Sequence, residues 1–227
     1  MRFEECNWMD VEEYLKSDDR VIFVIGACEQ HAYLSLASDT RIPLALADTV
    51  SKETGVLIAP VVNFGISPYF LEYPGTISLR VSTLLDLIED MITSLYRQGF
   101  KRFLLLNGHG GNDPVKGRLN EVLNKFEDAK IVWYSWWQSH SVEKIGIEKG
   151  IKPAHANWLE AFPFTKVTEL PKETKTPPKY QGLLSAQETK VVFGDGSFGG
   201  QYEADEQTMN EIFYACYLDI MNLINFE

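Results

Sequence analysis

Three residues with metal-binding side chains, Glu29, His31 and Asp39, fall within eleven positions of one another, just after an apolar run that ends at Gly26. Carboxylate oxygens and imidazole nitrogens are donors that zinc, manganese and iron accept, so the cluster is a candidate metal site rather than a solvated charge run. A second histidine, His109, sits in the loop Asn107-Gly108-His109-Gly110-Gly111-Asn112, again directly after an apolar run. The glycines allow backbone to approach a ligand closely. A phosphate-binding loop is the competing reading of this segment, but it lacks the Gly-Lys-Ser/Thr ending of a P-loop and the spacing of a dinucleotide fingerprint. A third cluster pairs His155 with Glu160, five positions apart. That spacing is poorer than three or four for sharing a helix face, so the two residues are expected to take different roles.

These residues need elements to hold them. Val21-Ile22-Phe23-Val24-Ile25 is short, β-branched and not alternating, the pattern of an interior strand of a parallel sheet buried on both faces. Phe103-Leu104-Leu105-Leu106 repeats it, and Val56-Leu57-Ile58 and Ile131-Val132-Trp133 are further strand candidates. Ligands just past the carboxyl ends of such strands occupy the usual crevice of an open α/β sheet. Helical stripes intervene: Val81, Leu84, Leu85, Ile88, Met91, Ile92 and Leu95, ending near Gly99, and Val115, Leu119, Val122, Leu123 and Phe126, with a start expected at Asn112-Asp113-Pro114. The order is β-α-β from about residue 20 to 165. Glu169 to Tyr180, rich in Lys, Thr and Pro, is expected to be a surface excursion, and the segment Gly194 to Gly200 a turn. A closing helix carries Met209, Ile212, Phe213, Cys216, Ile220 and Leu223.

Taken together, four segments give a resemblance to the creatininase (creatinine amidohydrolase) family. Gly26-Ala27-Cys28-Glu29-Gln30-His31 resembles its first motif, and Tyr73-Pro74-Gly75-Thr76-Ile77-Ser78-Leu79 its Phe-Pro-Gly-Thr segment. Asn107 to Asn112 is similar to its Asn-Gly-His-Gly-Gly-Asn loop, and His155 with Glu160 to its late His/Glu segment. The resemblance implies a three-layer α/β/α sandwich with a mainly parallel central sheet, here a single domain over residues 1–227, within a homo-oligomer such as a hexamer. It also implies two divalent ions per chain, zinc, manganese or iron. Glu29, Asp39 and His109 would hold one and His31, Asp39 and Glu160 the other, with Asp39 bridging. A water activated by the pair would hydrolyse a small cyclic amide, formamide or related C–N bond. By the same resemblance His155 would shuttle a proton to the leaving nitrogen, its alternative role being to orient its neighbours. Trp137, within Trp133-Tyr134-Ser135-Trp136-Trp137, lies near the place of an aromatic substrate gate; strand alternation would send Trp136 and Trp137 to opposite faces, so that one of them lines the pocket.

The chain also departs from the family pattern. The span from Glu29 to Asp39 is one residue shorter than usual, with Ala32-Tyr33-Leu34-Ser35 where Gly-Pro-His-Leu is common. The histidine often found shortly before the Pro-Gly-Thr segment in the family is absent, and Tyr69 and Phe70 stand in that neighbourhood. Gly111 occupies the position at which creatininases proper carry a glutamate, leaving Glu160 as the second carboxylate ligand and weighing against creatinine itself. The shortened loop keeps a second reading open, a non-catalytic metal or small-ligand binding protein on the same scaffold. A nucleotide-binding α/β protein comes third.

Composition narrows the partners. A chain of 227 residues, 45% hydrophobic and 12% aromatic, can bury a sizeable core without a metal or disulfide staple. A net charge of −11 leaves no basic excess for nucleic acid or anionic membranes, and the small-molecule amide expected as partner is what the resemblance implies. Met1-Arg2-Phe3-Glu4-Glu5 is no signal-peptide start, and no apolar run approaches the roughly 20 residues that span a bilayer. Three cysteines, Cys6, Cys28 and Cys216, form no even disulfide framework, which fits a reducing cytoplasm. Cys28 has no base at recognisable spacing and is expected to fill space rather than act as a nucleophile.

Overall fold

The computed structural model describes residues 1–227. Its sheet has four strands, β1 (Arg20–Ile25), β2 (Leu57–Ile58), β3 (Arg102–Asn107) and β4 (Lys130–Ser135), in the order β2-β1-β3-β4. All three pairings are parallel. Seven helices accompany them: α1 (Trp8–Tyr14), α2 (Ser38–Thr54), α3 (Val81–Gln98), α4 (Val115–Leu123), α5 (His140–Lys149), α6 (Ala186–Phe193) and α7 (Glu206–Leu223).

The period of two along a strand explains why the strand runs are uniformly apolar. Ile22 and Val24 of β1, with Leu104 and Leu106 of β3, face one core shared with Ile42 and Leu46 of α2, Val142 of α5 and Ile212 of α7. Val21, Phe23 and Ile25, with Phe103 and Leu105, face the other, filled by Leu84, Ile88 and Ile92 of α3 and Leu119 and Val122 of α4. Helices therefore cover both faces of the sheet, and the architecture is the three-layer α/β/α sandwich with a parallel sheet. Each residue from Val21 to Ile25 is completely buried, contributing roughly 1.5–3 kcal/mol per side chain.

Register brings the site together. Ile25, Asn107 and Ser135 are aligned across β1, β3 and β4, so the loops leaving β1 and β3 emerge side by side. Asn112 ties them: its carboxamide nitrogen donates to the Gly26 carbonyl at 3.1 Å, and its oxygen accepts from Ile66 N at 3.3 Å. The Pro-Gly-Thr segment clamps the β1 loop from outside. Ile77 N donates to the Cys28 carbonyl at 2.9 Å, and Thr76 Oγ1 accepts from Gln30 N at 3.1 Å.

Three local expectations change. Asn112 does not start α4; it closes a 3₁₀ turn over Gly110–Asn112, and α4 begins at Val115 after Pro114. Trp136 and Trp137 lie beyond β4, in a 3₁₀ turn over Trp136–Gln138, so their directions are set by that turn and not by strand alternation. His155 is in a loop, and only Trp158–Glu160 forms a 3₁₀ turn. The excursion over residues 169–180 is irregular and is pinned to the glycine-rich turn by paired backbone hydrogen bonds between Lys175 and Gly200, 3.0 and 2.9 Å long. No helix is long and apolar enough to cross a membrane.

Candidate active site

Glu29 and His31 leave β1, Asp39 sits in the first turn of α2, His109 leaves β3, and Glu160 closes the late 3₁₀ turn. These five residues converge. Donor atoms of Glu29, Asp39 and His109 lie within 4.8 Å of one another, as do those of His31, Asp39 and Glu160. Asp39 belongs to both groups. Its Oδ1 is 2.9 Å from His31 Nε2 and its Oδ2 is 2.9 Å from His109 Nδ1, while Glu160 Oε1 is 3.7 Å from His31 Nε2 and Glu29 Oε2 is 3.5 Å from His109 Nε2. A third group, Glu29, His31 and His155, meets the same 4.8 Å limit, but a carboxamide nitrogen of Gln30 stands 2.9 Å from His155 Nε2 and claims that nitrogen.

Ring protons follow from what each histidine touches. His31 Nδ1 donates to the Glu29 carbonyl at 3.0 Å. A carbonyl only accepts, so Nδ1 carries a proton and Nε2 is the nitrogen that faces Asp39. His109 Nε2 donates to the Ile66 carbonyl at 3.0 Å, which leaves Nδ1 as the nitrogen facing Asp39 from the other side. Two imidazole nitrogens thus point at one buried carboxylate, each carrying a second proton while its ring is a cation and offering a lone pair once that proton leaves. Glu29 Oε2 and Asp39 Oδ2 are buried without a hydrogen-bond partner. Buried polar atoms are normally satisfied, and facing acceptors with nothing between them form a cradle for cations. The nitrogen and oxygen donor set fits zinc, manganese or iron.

The electrostatics of the metal-free cluster carry the same signature. Burial pushes the Glu29 carboxyl up to about 7, helped by Asp39 and opposed by His109. Burial acts to raise Asp39 too, but the His31 and His109 cations outweigh it and hold Asp39 well below the usual carboxylate range. Burial disfavours charge on His109, yet Glu29 and Asp39 prevail and push it up to about 9. His31 is likewise raised, by Asp39 and Glu160 against its burial. His155 goes the other way. Burial and the neighbouring His31 bring it down to about 4, so it is neutral near pH 7.

The cluster forms the floor of a cavity of about 220 Å³ walled by Tyr69, Phe70, Trp137 and Phe198. Trp137 therefore lines the pocket, whereas Trp136 is buried in the core behind it. Cys28 lies apart from any base: its thiol donates to the Gly75 carbonyl at 3.3 Å, and burial together with Asp39 raises its pKa. A Cβ on Gly111 would stand 2.0 Å from the Ile66 carbonyl and 2.5 Å from His109 Nε2. No carboxylate side chain can occupy that position on this backbone. Sequence reasoning passed over Gln30 and Phe198, both in contact with His155. Their only signals were a place between two ligands and a place inside a glycine-rich turn.

The family model described as Creatininase, creatinine amidohydrolase, matches residues 4–224. Creatinine amidohydrolase of Pseudomonas putida is 31% identical over 146 residues, covering 59% of this chain and 56% of the relative. The 3-dehydro-scyllo-inosose hydrolase of Thermotoga maritima is 26% identical over 138 residues, covering 58% and 44%. The mycofactocin precursor peptide peptidase of Mycolicibacterium smegmatis is 35% identical over 102 residues, covering 40% of each. The matches thus span between 40% and 56% of these relatives' lengths. Among solved structures, creatinine amidohydrolase superimposes with a TM-score of 0.78 at 23% identity, covering 99% of this chain and 96% of the other, a likeness of fold. A manganese form and a Zn-Zn form match with TM-scores of 0.78 and 0.79, at 23% and 22% identity and over 99% of this chain and 97% and 96% of theirs.

Proposed function

Because the chain belongs to the creatininase family, we propose that it is a metal-dependent amidohydrolase acting on a small cyclic amide, formamide or related C–N bond, with residues 1–227 working as one domain. The observation that carries this reading is the pair of donor triads that share Asp39 on the floor of an aromatic-walled cavity. Glu29, Asp39 and His109 would hold one divalent ion, and His31, Asp39 and Glu160 the other. Bound there, the pair would bring the pKa of a water toward neutrality and polarise an amide carbonyl. Asp39, with one oxygen turned to His31 and the other to His109, would be the ligand common to both ions. His155, neutral and partly exposed at the cavity wall, would carry a proton to the leaving nitrogen. Trp137, Tyr69, Phe70 and Phe198 would stack on a flat substrate and exclude bulk water. The same reading has the protein act in the cytoplasm as a homo-oligomer such as a hexamer, with neither nucleic acid nor membrane as a partner.

The test is metal analysis of protein purified without chelator, combined with a panel of cyclic amides, formamides and short peptide amides followed by amine release. Two divalent ions per chain are expected, with turnover of at least one amide that chelation abolishes and zinc, manganese or iron restores. Full metal content without turnover anywhere in the panel would make the protein a binding module. Absence of metal from a chelator-free preparation that also refuses zinc would reject the metal reading.

A further inference from the structure

Gln30, between two of the proposed ligands and only 4% exposed, has a carboxamide whose orientation is fixed by its surroundings. Its Oε1 accepts from Ala32 N at 3.1 Å, and its Nε2 donates to the Gly196 carbonyl at 3.1 Å. A backbone N–H can only donate and a carbonyl can only accept, so the two ends of the amide cannot be exchanged. The second proton of the NH2 group is left for His155 Nε2, 2.9 Å away. The Gln30 carbonyl, 3.2 Å from the same ring nitrogen, would favour a proton there. Two N–H groups cannot face each other at the shorter distance, so the oriented donor decides and Nε2 accepts. The ring proton is then on Nδ1, which has no hydrogen-bond partner in the protein.

The device extends outward to a segment otherwise without a role. Gly196 has φ +99°, and a Cβ there would stand 1.8 Å from Gln30 Oε1, so only glycine brings this carbonyl to the carboxamide. The turn is held by Lys175 from the 169–180 excursion, whose ammonium donates to the Phe193 carbonyl at 2.5 Å and the Ser197 carbonyl at 2.7 Å and pairs with Asp195. From the same turn, Phe198 packs its ring 5.0 Å from that of His155, and its backbone N–H donates to the His155 carbonyl at 3.0 Å.

We propose that Gln30 is a positioning residue for His155: held by Gly196 and Ala32, its carboxamide fixes Nε2 as an acceptor and keeps the neutral ring's proton on Nδ1. That proton can pass to the leaving nitrogen only as Nε2 takes up another proton from the side of Glu29, whose Oε1 lies 3.7 Å away. The consequence for turnover rests on the reading of His155 as the proton carrier, whereas the tautomer itself does not. Ring-¹⁵N-labelled histidine in zinc-loaded protein, with the His155 signals assigned by their loss in His155→Gln, reads the tautomer directly. The wild type is expected to show Nδ1 protonated and Nε2 bare. Protonated Nε2 would overturn the proposal without any variant. Gln30→Glu turns the donor into an acceptor and should move the proton to Nε2 with zinc content kept, while kcat on the best amide of the panel falls about 10–100-fold at little-changed KM. Gly196→Ala, which displaces the carboxamide without touching the ring, should erode the Nδ1 preference in the same direction. Unchanged kcat in Gln30→Glu, alongside lost turnover in His155→Ala, would overturn the role in the reaction. Turnover retained by metal-loaded His155→Ala would instead remove the proton-carrier reading, and the wild-type spectrum would still decide the tautomer.

Discussion

The two halves of the candidate site are built differently. Glu29, His31, Asp39 and His109 hang from the ends of aligned parallel strands and the first turn of α2, and none is more than 3% exposed. His155 and Glu160 hang from irregular chain, with side chains 16% and 13% exposed. That region is held by hydrogen bonds between loops, such as Trp158 N to the Gln201 carbonyl at 2.9 Å, and Ala156, like Ala32 beside His31, is in a left-handed conformation, at φ +53°, which costs energy for a residue with a Cβ. Glu160 also spends one oxygen on Ala156 N, 2.6 Å away, to hold its own loop. Two triads that share Asp39 should therefore differ in affinity. The one built wholly on strand and helix ends is preorganised, while the one that needs Glu160 must also order a loop.

The largest effect that could break this contrast is on metal content. Asp39→Asn removes the one carboxylate common to both triads and should reduce zinc from two ions per chain to fewer than one. Glu160→Gln should leave one ion, held by the preorganised triad, and Glu29→Gln should cost less than Asp39→Asn. Metal analysis after exhaustive dialysis separates these. If Glu160→Gln emptied both sites, or if Asp39→Asn and Glu29→Gln lost metal equally, the division into a firm and a loose triad with Asp39 as bridge would be wrong.

Next in size is the role of His155 on the loose side. His155→Ala should keep both ions and its melting temperature, yet lose roughly 10²–10⁴-fold in turnover, the range of general acid–base catalysis. A fall in metal content would instead assign His155 to the third donor group, with Glu29 and His31. Content, melting and rate measured on one preparation distinguish the cases.

The same division governs what could be read without coordinates. Strand ends were legible because two short, uninterrupted apolar runs, each followed by a glycine-containing turn, read as interior strands, and the residues that follow them then share one edge of the sheet. The late region has no period to read. Whether Glu160 reaches His31 depends on a 3₁₀ turn and a positive φ at an alanine, neither of which has a sequence signal. Trp137 lines the cavity through a 3₁₀ turn beyond β4 and not through the alternation that pointed to it. Gln30 was hidden for a different reason. A glutamine between two ligands acquires its meaning only from Gly196, distant in sequence and brought near by the fold.

The smallest effect, and the finest test of the firm half, is the response of metal-free protein to pH. His109 is raised on folding from 6.5 to about 9 and Glu29 from 4.5 to about 7. A group whose folded pKa is raised contributes stability that is complete below its unfolded pKa and lost as pH rises through the folded one. Both groups therefore act in one direction, and because His155, lowered by folding from 6.5 to about 4, opposes Glu29 only below pH 6.5, the melting temperature of metal-free protein should fall as pH rises from about 6.5 to 9. Asp39, lowered by folding, contributes stability that is lost only in acid, outside that window. Zinc must displace the proton that His109 carries on Nδ1 and leave Glu29 ionised, so the loaded protein should show a flatter profile. Zinc addition near pH 7 should release protons into a weakly buffered solution. A metal-free melting temperature that holds constant or climbs over the window, with no proton release on zinc addition, would mean that the buried cluster does not carry its charge on the two histidines facing Asp39.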